Sequence, residues 1–384
     1  MRILLVCEFF PKSKDCEIRG GAEGRTFFLA KYLVKLGHQV FVLATQEEGL
    51  PKKDEFLGIK IIRCGVSRKY SQGGEIFGRV SFIYHSAKLA EDLEVDLVDG
   101  QNFLGYLAAE KIAARKKIPK VATYHDVWVG EWIKNVGFSA GVLGEVAERW
   151  ALSKNWNIFI TISNVVRKKL INVGINPQKI ITIPLGIDWE EVASLPKNNK
   201  DEREIVCVSR LVEYKKVSDL IWATKKIKSK FPDIKIKIIG TGPQRDDLVK
   251  LVKKLGLFAN FSFLGFIARH SDVLSEISKA KIFCLTSAVE GFGSVILEAA
   301  SLGVPYVATE IPAIWEVTRK GQGGILYKVG DIDSLAKNLI KFLTDEDFYL
   351  KKSKEGENLA KSYNWSQIAL KTTEVYQKII NDKY

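Results

Sequence analysis

At 384 residues with 46% hydrophobic side chains, the chain is long enough for two domains with their own cores, and no low-complexity tract points to disorder. Its net charge of +13 is even, with 27 basic and 21 acidic residues in 1–190 against 31 and 24 in the rest; that gives no nucleic-acid patch, although it favours polyanions or an anionic membrane face. Five cysteines without metal spacing read as thiols in a reducing compartment. With no signal-like start and no membrane-length apolar run, the chain is expected to be cytoplasmic, at most peripherally attached to the inner membrane face.

Residues 3–7 (ILLVC) read as a buried parallel strand, and residues 8–19 as a polar loop. Gly20-Gly21-Ala22-Glu23 then opens a helix to residue 36, and residues 40–43 form the next strand, completing a β-α-β unit. No G-x-G-x-x-G follows the first strand, which argues against a dinucleotide-dependent dehydrogenase. A short strand at 59–63, a helix at 80–93, a strand at 96–99 and a helix at 104–116 follow. The strand at 120–123 ends in Tyr124-His125-Asp126, and ligands gather at the carboxyl ends of strands in open α/β sheets. His125, one of four histidines, is therefore a candidate site residue, with Asp126 as its orienting neighbour. The next stretch carries three tryptophans. Trp128 and Trp132, close to His125, are candidates for contact with an acceptor, whereas Trp150 is expected to pack on the domain. Strands at 157–163 and 179–183 flank a helix at 164–173, and the polar stretch 191–203 reads as an interdomain linker.

The second half begins again with a strand at 204–208. Arg210 and Lys215 lie at its end and in the loop beyond, where two fixed cations suit a leaving diphosphate. A strand at 234–239 ends in Gly240-Thr241-Gly242-Pro243, and one at 261–265 leads to Phe266-Ile267. The most informative stretch is TSAVEGFGSVILEAASLGVPYVAT, residues 286–309, after a strand at 281–285. Gly291 and Gly293 let the backbone turn without a Cβ in the way. The N–H groups from there to Ser294 make a phosphate site at the start of a helix. Glu290 and Glu298 bracket that turn. Carboxylates repel phosphate but accept from hydroxyls on either side of it, so the pattern describes a nucleotide sugar, hexose at one end and ribose at the other. Helical patterns at 332–343, 348–363 and 365–380 close the chain.

The string EGFG followed by ILEA, with Arg210-Leu211-x-x-x-Lys215, the Gly20-Gly21-Ala22-Glu23 loop and His125, resembles glycosyltransferase family 4 over nearly the whole chain. The resemblance implies an α/β protein of the GT-B fold: two Rossmann-like domains facing a cleft, with the last helix crossing back to the first. The corresponding divisions are 1–190 for the acceptor domain, 204–362 for the nucleotide-sugar domain and 363–384 for the returning helix. It further implies a retaining, metal-independent hexosyltransferase using a UDP- or GDP-type donor and a glycan or lipid-linked acceptor, with no cofactor. Arg210 and Lys215 would meet the diphosphate, Glu290 the hexose hydroxyls and Glu298 the ribose. The main chain of Gly291, Phe292, Gly293 and Ser294 would hold the phosphates. Gly20 and Gly21 would approach the donor diphosphate and sugar, Gly240 the nucleotide, and Phe266-Ile267 the base edge; His125 would lie beside the transferred hexose. Leu185 stands where the family usually has Asn, and Lys216 where it commonly has Gly, so sequence alone leaves Lys215 and Lys216 both open as the phosphate contact. A nucleotide-sugar epimerase and a non-catalytic carbohydrate-binding protein remain the alternatives; the complete set of site residues argues against the second.

Overall fold

A strand that is apolar on both faces must lie inside a sheet covered on both sides. The first strand, β1 (Arg2–Val6), meets that condition: Ile3, Leu4, Leu5 and Val6 are wholly buried. The computed structural model describes every residue except Cys16, residues 71–74, 197–198 and 383–384, and also leaves out the side chains of Asn135 and Val136. The chain divides into two compact units: 1–185 together with 365–384, and 186–364.

In the first unit, helix α1 (Gly21–Lys35) leads to β2 (Gln39–Glu47), β3 (Lys53–Phe56) and β4 (Ile59–Arg68). There follow α2 (Ile76–Leu89), β5 (Leu97–Gly100), α3 (Phe103–Lys116) and β6 (Lys120–Tyr124). Helices α4 (Trp132–Val136) and α5 (Phe138–Leu152), β7 (Ile158–Thr161), α6 (Asn164–Asn172) and β8 (Ile180–Thr182) complete the series. The sheet runs β3-β4-β2-β1-β5-β6-β7-β8, all parallel except the β3–β4 pair. The sequence reading had no strand at β3, whose Lys-Asp-Glu-Phe lacks an apolar pattern. It forms because the antiparallel register Lys53↔Ile62 to Phe56↔Ile59 adds it to the edge of β4. The order reverses between β1 and β5, so the β1–α1 and β5–α3 loops diverge at the carboxyl edge. Helix α3 packs against α2 and neighbours α5.

The second unit opens with α7 (Trp189–Ser194), β9 (Asp201–Val208), α8 (Val217–Ile227), β10 (Lys235–Ile239), α9 (Arg245–Lys254) and β11 (Phe261–Gly265). It continues through α10 (His270–Lys279), β12 (Ala280–Leu285), α11 (Ser294–Ser301), β13 (Tyr306–Thr309), α12 (Pro312–Val317) and β14 (Gly324–Tyr327), and closes with α13 (Ile332–Thr344) and α14 (Glu346–Lys361). Its parallel sheet, β11-β10-β9-β12-β13-β14, reverses between β9 and β12. The expected linker at 191–203 belongs to this unit. Asp188 caps α7 through the N–H groups of Glu190 and Glu191, and β9 begins at Asp201. A single capped helical turn is too short for its periodicity to stand out from a polar linker.

Helix α15 (Trp365–Asn381) returns to the first unit, where it packs on α1 and Trp365 stacks on Phe28. Its Tyr376 hydroxyl donates to Asp99 Oδ2 at 2.5 Å at the base of the sheet reversal. No helix among the described residues is long and apolar enough to cross a membrane. Cys7, Cys64, Cys207 and Cys284 are buried free thiols; Cys16 lies outside the described residues.

Candidate functional site

Chemistry-bearing side chains gather at the reversal of each sheet. In the second unit, the loop after β9 presents Arg210 and Lys215, and the loop after β12 presents Glu290. Lys215 Nζ donates to Glu290 Oε1 at 2.5 Å, with the two side chains 12% and 13% exposed. Two main-chain ties fix this approach. The Thr286 hydroxyl donates to the Lys215 carbonyl at 2.7 Å, and the Ala288 N–H donates to the Tyr214 carbonyl at 2.7 Å. Arg210 is exposed and its guanidinium donates to the Tyr214 hydroxyl. Lys216 takes the left-handed conformation, φ 48°, at the start of α8. That is the region a glycine enters without steric cost, which accounts for Gly being common at the matching family position.

Of the two motif glycines, only Gly293 occupies the left-handed region, with φ 87°. A Cβ there would come within 2.4 Å of Ile314 Cδ1 on α12. This turn aims the first N–H groups of α11 outward, with Ser294 as the first helical residue. Phe292, by contrast, is buried in an edge contact with Tyr363, so its side chain anchors the turn. Gly240 also departs from expectation. Its φ is 130°, and a Cβ would lie 1.9 Å from the Ser209 carbonyl oxygen. The approach of the loops after β9 and β10 by itself requires glycine there. Phe266, at the end of β11, is exposed and Ile267 half-buried.

Glu298 sits one turn into α11, and its partner is a residue that sequence reasoning passed over. His270, the first residue of α10, places Nδ1 2.8 Å from Glu191 Oε2 and Nε2 3.7 Å from Glu298 Oε1. Burial favours the neutral ring, but hydrogen bonds and charge from both carboxylates overcome it and push the imidazole up to about 10. The only prior signal was the scarcity of histidine. Convergence of positions 191, 270 and 298 is not a local pattern.

In the first unit, Gly20 is extended at the start of α1 and Gly21 is exposed, with open space where a Cβ would stand. The turn is held from below by Arg19, which donates to Glu23 at 2.7 Å and to Glu47 at 2.5 Å. His125 leaves the end of β6 beside a buried polar group. Arg25 donates to Gln101 Oε1 at 2.7 Å, and the Thr123 hydroxyl donates to Asp99 at 3.0 Å. Burial, reinforced by the Arg25 charge and opposed by the Gln101 main-chain carbonyl, pushes the His125 imidazole down to about 3. His125 is therefore neutral near pH 7, and its buried Nε2 has no hydrogen-bond partner among the described residues. Asp126 does not orient it: its carboxylate pairs with Lys169 of α6 at 2.6 Å.

The tryptophan assignments shift in the same way. Trp132 donates from Nε1 to Glu148 Oε2 at 2.6 Å and lies where a side chain on Gly144 of α5 would stand, packed between Trp128 and Phe103. Both it and Trp128 are half-buried. Trp150, expected to be packed, is 40% exposed, with Lys154 over its ring. Among the described residues, no three His, Cys, Asp or Glu side chains converge as a metal site would require.

A family profile described as Glycosyl transferases group 1 matches residues 189–359, and one described as Glycosyltransferase Family 4 matches residues 19–191. The chain is 26% identical to the phosphatidylinositol N-acetylglucosaminyltransferase gpi3 subunit of Schizosaccharomyces pombe, over 97% of this chain and 80% of that one. In structure it is similar to sucrose-phosphate synthase from Thermosynechococcus elongatus, with TM-score 0.81, 18% identity and 99% of each chain covered. It is similar also to HepE from Anabaena in complex with UDP and glucose, with TM-score 0.76 and 19% identity over 98% of this chain and 100% of that one.

The anchoring of the tryptophan segment generates a test. Burial pushes the Glu148 carboxyl from its ordinary 4.5 up to about 7, against the N–H groups of Trp132 and Trp128. The folded state therefore keeps a proton that the unfolded chain releases, so stability falls as pH rises from about 4.5 to 7. Glu148→Gln, which mimics the protonated form, is expected to flatten that fall. The gap between thermal midpoints at pH 5 and pH 8 should be smaller in the variant than in the parent; an equal gap would contradict the assignment.

Proposed function

Because the chain belongs to glycosyltransferase family 4, we propose that it transfers a hexose from a UDP- or GDP-type nucleotide sugar to a glycan or lipid-linked acceptor, retaining the anomeric configuration and using no metal ion. The observation that carries this reading is the Lys215–Glu290 pair at the β9/β12 reversal, beside the Gly293 turn. A cation, a carboxylate and a row of outward N–H groups in one crevice match the chemistry of a sugar diphosphate.

In the proposed transfer, the bond between the hexose anomeric carbon and the β-phosphate oxygen breaks, and negative charge grows on that oxygen. Arg210 and Lys215 stabilise this charge more than the ground state. The acceptor hydroxyl adds to the same face of the sugar, and the departing phosphate oxygen takes its proton. Glu290 accepts from the hexose hydroxyls, Glu298 from the ribose, and the N–H groups from Gly291 to Ser294 hold the phosphates. His125, neutral near pH 7, serves as a hydrogen-bonding group beside the hexose, not as a charge. The relative named for N-acetylglucosaminyl transfer to phosphatidylinositol and the structural neighbour bound to UDP and glucose support a UDP-type donor and a lipid-bearing acceptor.

An acceptor at the inner membrane face accords with the surface of the first unit. Helix α5 exposes Phe138, Val142, Val146 and Trp150 along one side, and α2, across α3, exposes Phe77, Val80 and Tyr84. Lys134, Arg149 and Lys154 flank the α5 stripe. Exposed apolar side chains with basic residues beside them, two of these also near Glu131 and Glu145, suit an anionic bilayer.

Four measurements test this reading. UDP, GDP and ADP are compared by thermal shift: one should raise the midpoint, and Glu298→Ala should reduce that rise. No shift with any of them would remove the transferase reading and favour the non-catalytic one. With the donor identified, the anomeric coupling constant of the product should match that of the donor sugar, and turnover should survive excess EDTA; inversion or metal dependence would each overturn the corresponding claim. Finally, the protein should float with phosphatidylserine-containing vesicles at low salt, and Phe138→Ser with Val146→Ser should weaken that association. Flotation unchanged by the double substitution would refute the assigned face.

A further inference from the structure

Glu298 needs more than its place on α11 to act on a ribose. Its side chain is only 15% exposed, and a carboxylate so far withdrawn from water turns toward whatever donor it finds. Among the described residues, His270 is the one cation within ion-pair distance of it. His270 is itself not free to rotate. Nδ1 lies 2.8 Å from Glu191 Oε2, and that contact turns Nε2 toward Glu298 Oε1. Glu191 is fixed in turn, because its N–H is one of the two that Asp188 caps at the start of α7. The imidazole edge is 13% exposed, and α10 packs against both α7 and α11. The three side chains thus form one line, carboxylate–imidazole–carboxylate, running from the first helix of this unit to the carboxylate of the motif.

We propose that His270, held by Glu191, is a positioning residue that fixes the Glu298 carboxylate for the 2′- and 3′-hydroxyls of the donor ribose. The inference rests on the ribose role given to Glu298 above. A ring carrying its proton, as the two flanking carboxylates favour, presents a donor to Glu298, which meets it as an acceptor. It also holds one carboxylate oxygen, which limits the rotamers open to the other. Glu298 would then read the sugar as ribose because it is held to accept, while Lys215 and Arg210 address the diphosphate independently. Loss of His270 should therefore weaken recognition of the ribose hydroxyls and leave the diphosphate contribution intact.

The test compares the affinity of the nucleotide that binds among UDP, GDP and ADP with that of its 2′,3′-dideoxy form, by titration calorimetry on the full chain. The parent protein should prefer the ribonucleotide by roughly 10-fold or more, the scale of one lost hydrogen bond to a charged group. In His270→Gln that preference should fall to within about threefold of unity, and in Glu191→Gln it should fall part of the way. Affinity for the dideoxy form should stay unchanged in both, which also shows that each variant is folded. If the parent discriminates and both variants keep that discrimination, His270 does not position Glu298 and the inference fails while the proposed function stands. If the parent itself does not discriminate, or binds none of the three nucleotides, the ribose role of Glu298 fails and takes the inference with it.

Discussion

Each sheet reverses its strand order once, and that reversal decides where chemistry can stand. Right-handed crossovers carry the chain outward on one side of the first strand and then outward on the other, so only at the reversal do two adjacent loops lead apart. In the second unit these are the loops after β9 and β12, and they supply Lys215 and Glu290. In the first unit they are the loops after β1 and β5, supplying the Gly20–Gly21 turn and Gln101. The contact of Gly240 with the Ser209 carbonyl is part of the same constraint, because it packs the β10 loop tightly against the β9 loop that presents Arg210 and Lys215.

The charges at this crevice are stable because they come in pairs. Lys215 and Glu290 are both largely withdrawn from water, and either alone would face a desolvation penalty of several kcal/mol. Together, each offsets the other's charge, and the ties from the Thr286 hydroxyl and the Ala288 N–H hold them in place. In the proposed complex, a sugar diphosphate would replace each partner with a better one, phosphate for the lysine and hydroxyls for the carboxylate. The site can therefore hold its charge without storing an unpaired ion. The first unit follows a different course: burial and Arg25 keep His125 neutral, so that side offers hydrogen bonds in place of charge.

What the sequence made legible was local. The buried strands, the helix after Gly293 and the bracket of Glu290 and Glu298 all follow from short-range pattern, and the structure has them where the pattern put them. What it concealed was non-local or too short to show a period. Strand β3 exists only by pairing with β4, and α7 is one capped turn inside a polar stretch. Trp132 sits against Gly144 on a helix hairpin while Trp150 is exposed, and neither placement can be read from the spacing of the tryptophans. Gly240 was legible as a required glycine but not as to cause, since a ligand and a neighbouring carbonyl forbid a Cβ equally well.

The two motif glutamates show the same division between local pattern and distant partner. Their eight-residue offset is set by one glycine turn and one turn of helix, so it can be read directly. Each is nevertheless met by a base from elsewhere: Glu290 by Lys215, 75 positions away, and Glu298 by His270 of α10. The bases differ in kind. Lysine is a mobile point charge that can follow a phosphate, whereas an imidazole clamped at both nitrogens can only hold its place. In the proposed transfer, the end of the crevice where the bond would break thus carries the lysine, and the far end carries the imidazole held by Glu191.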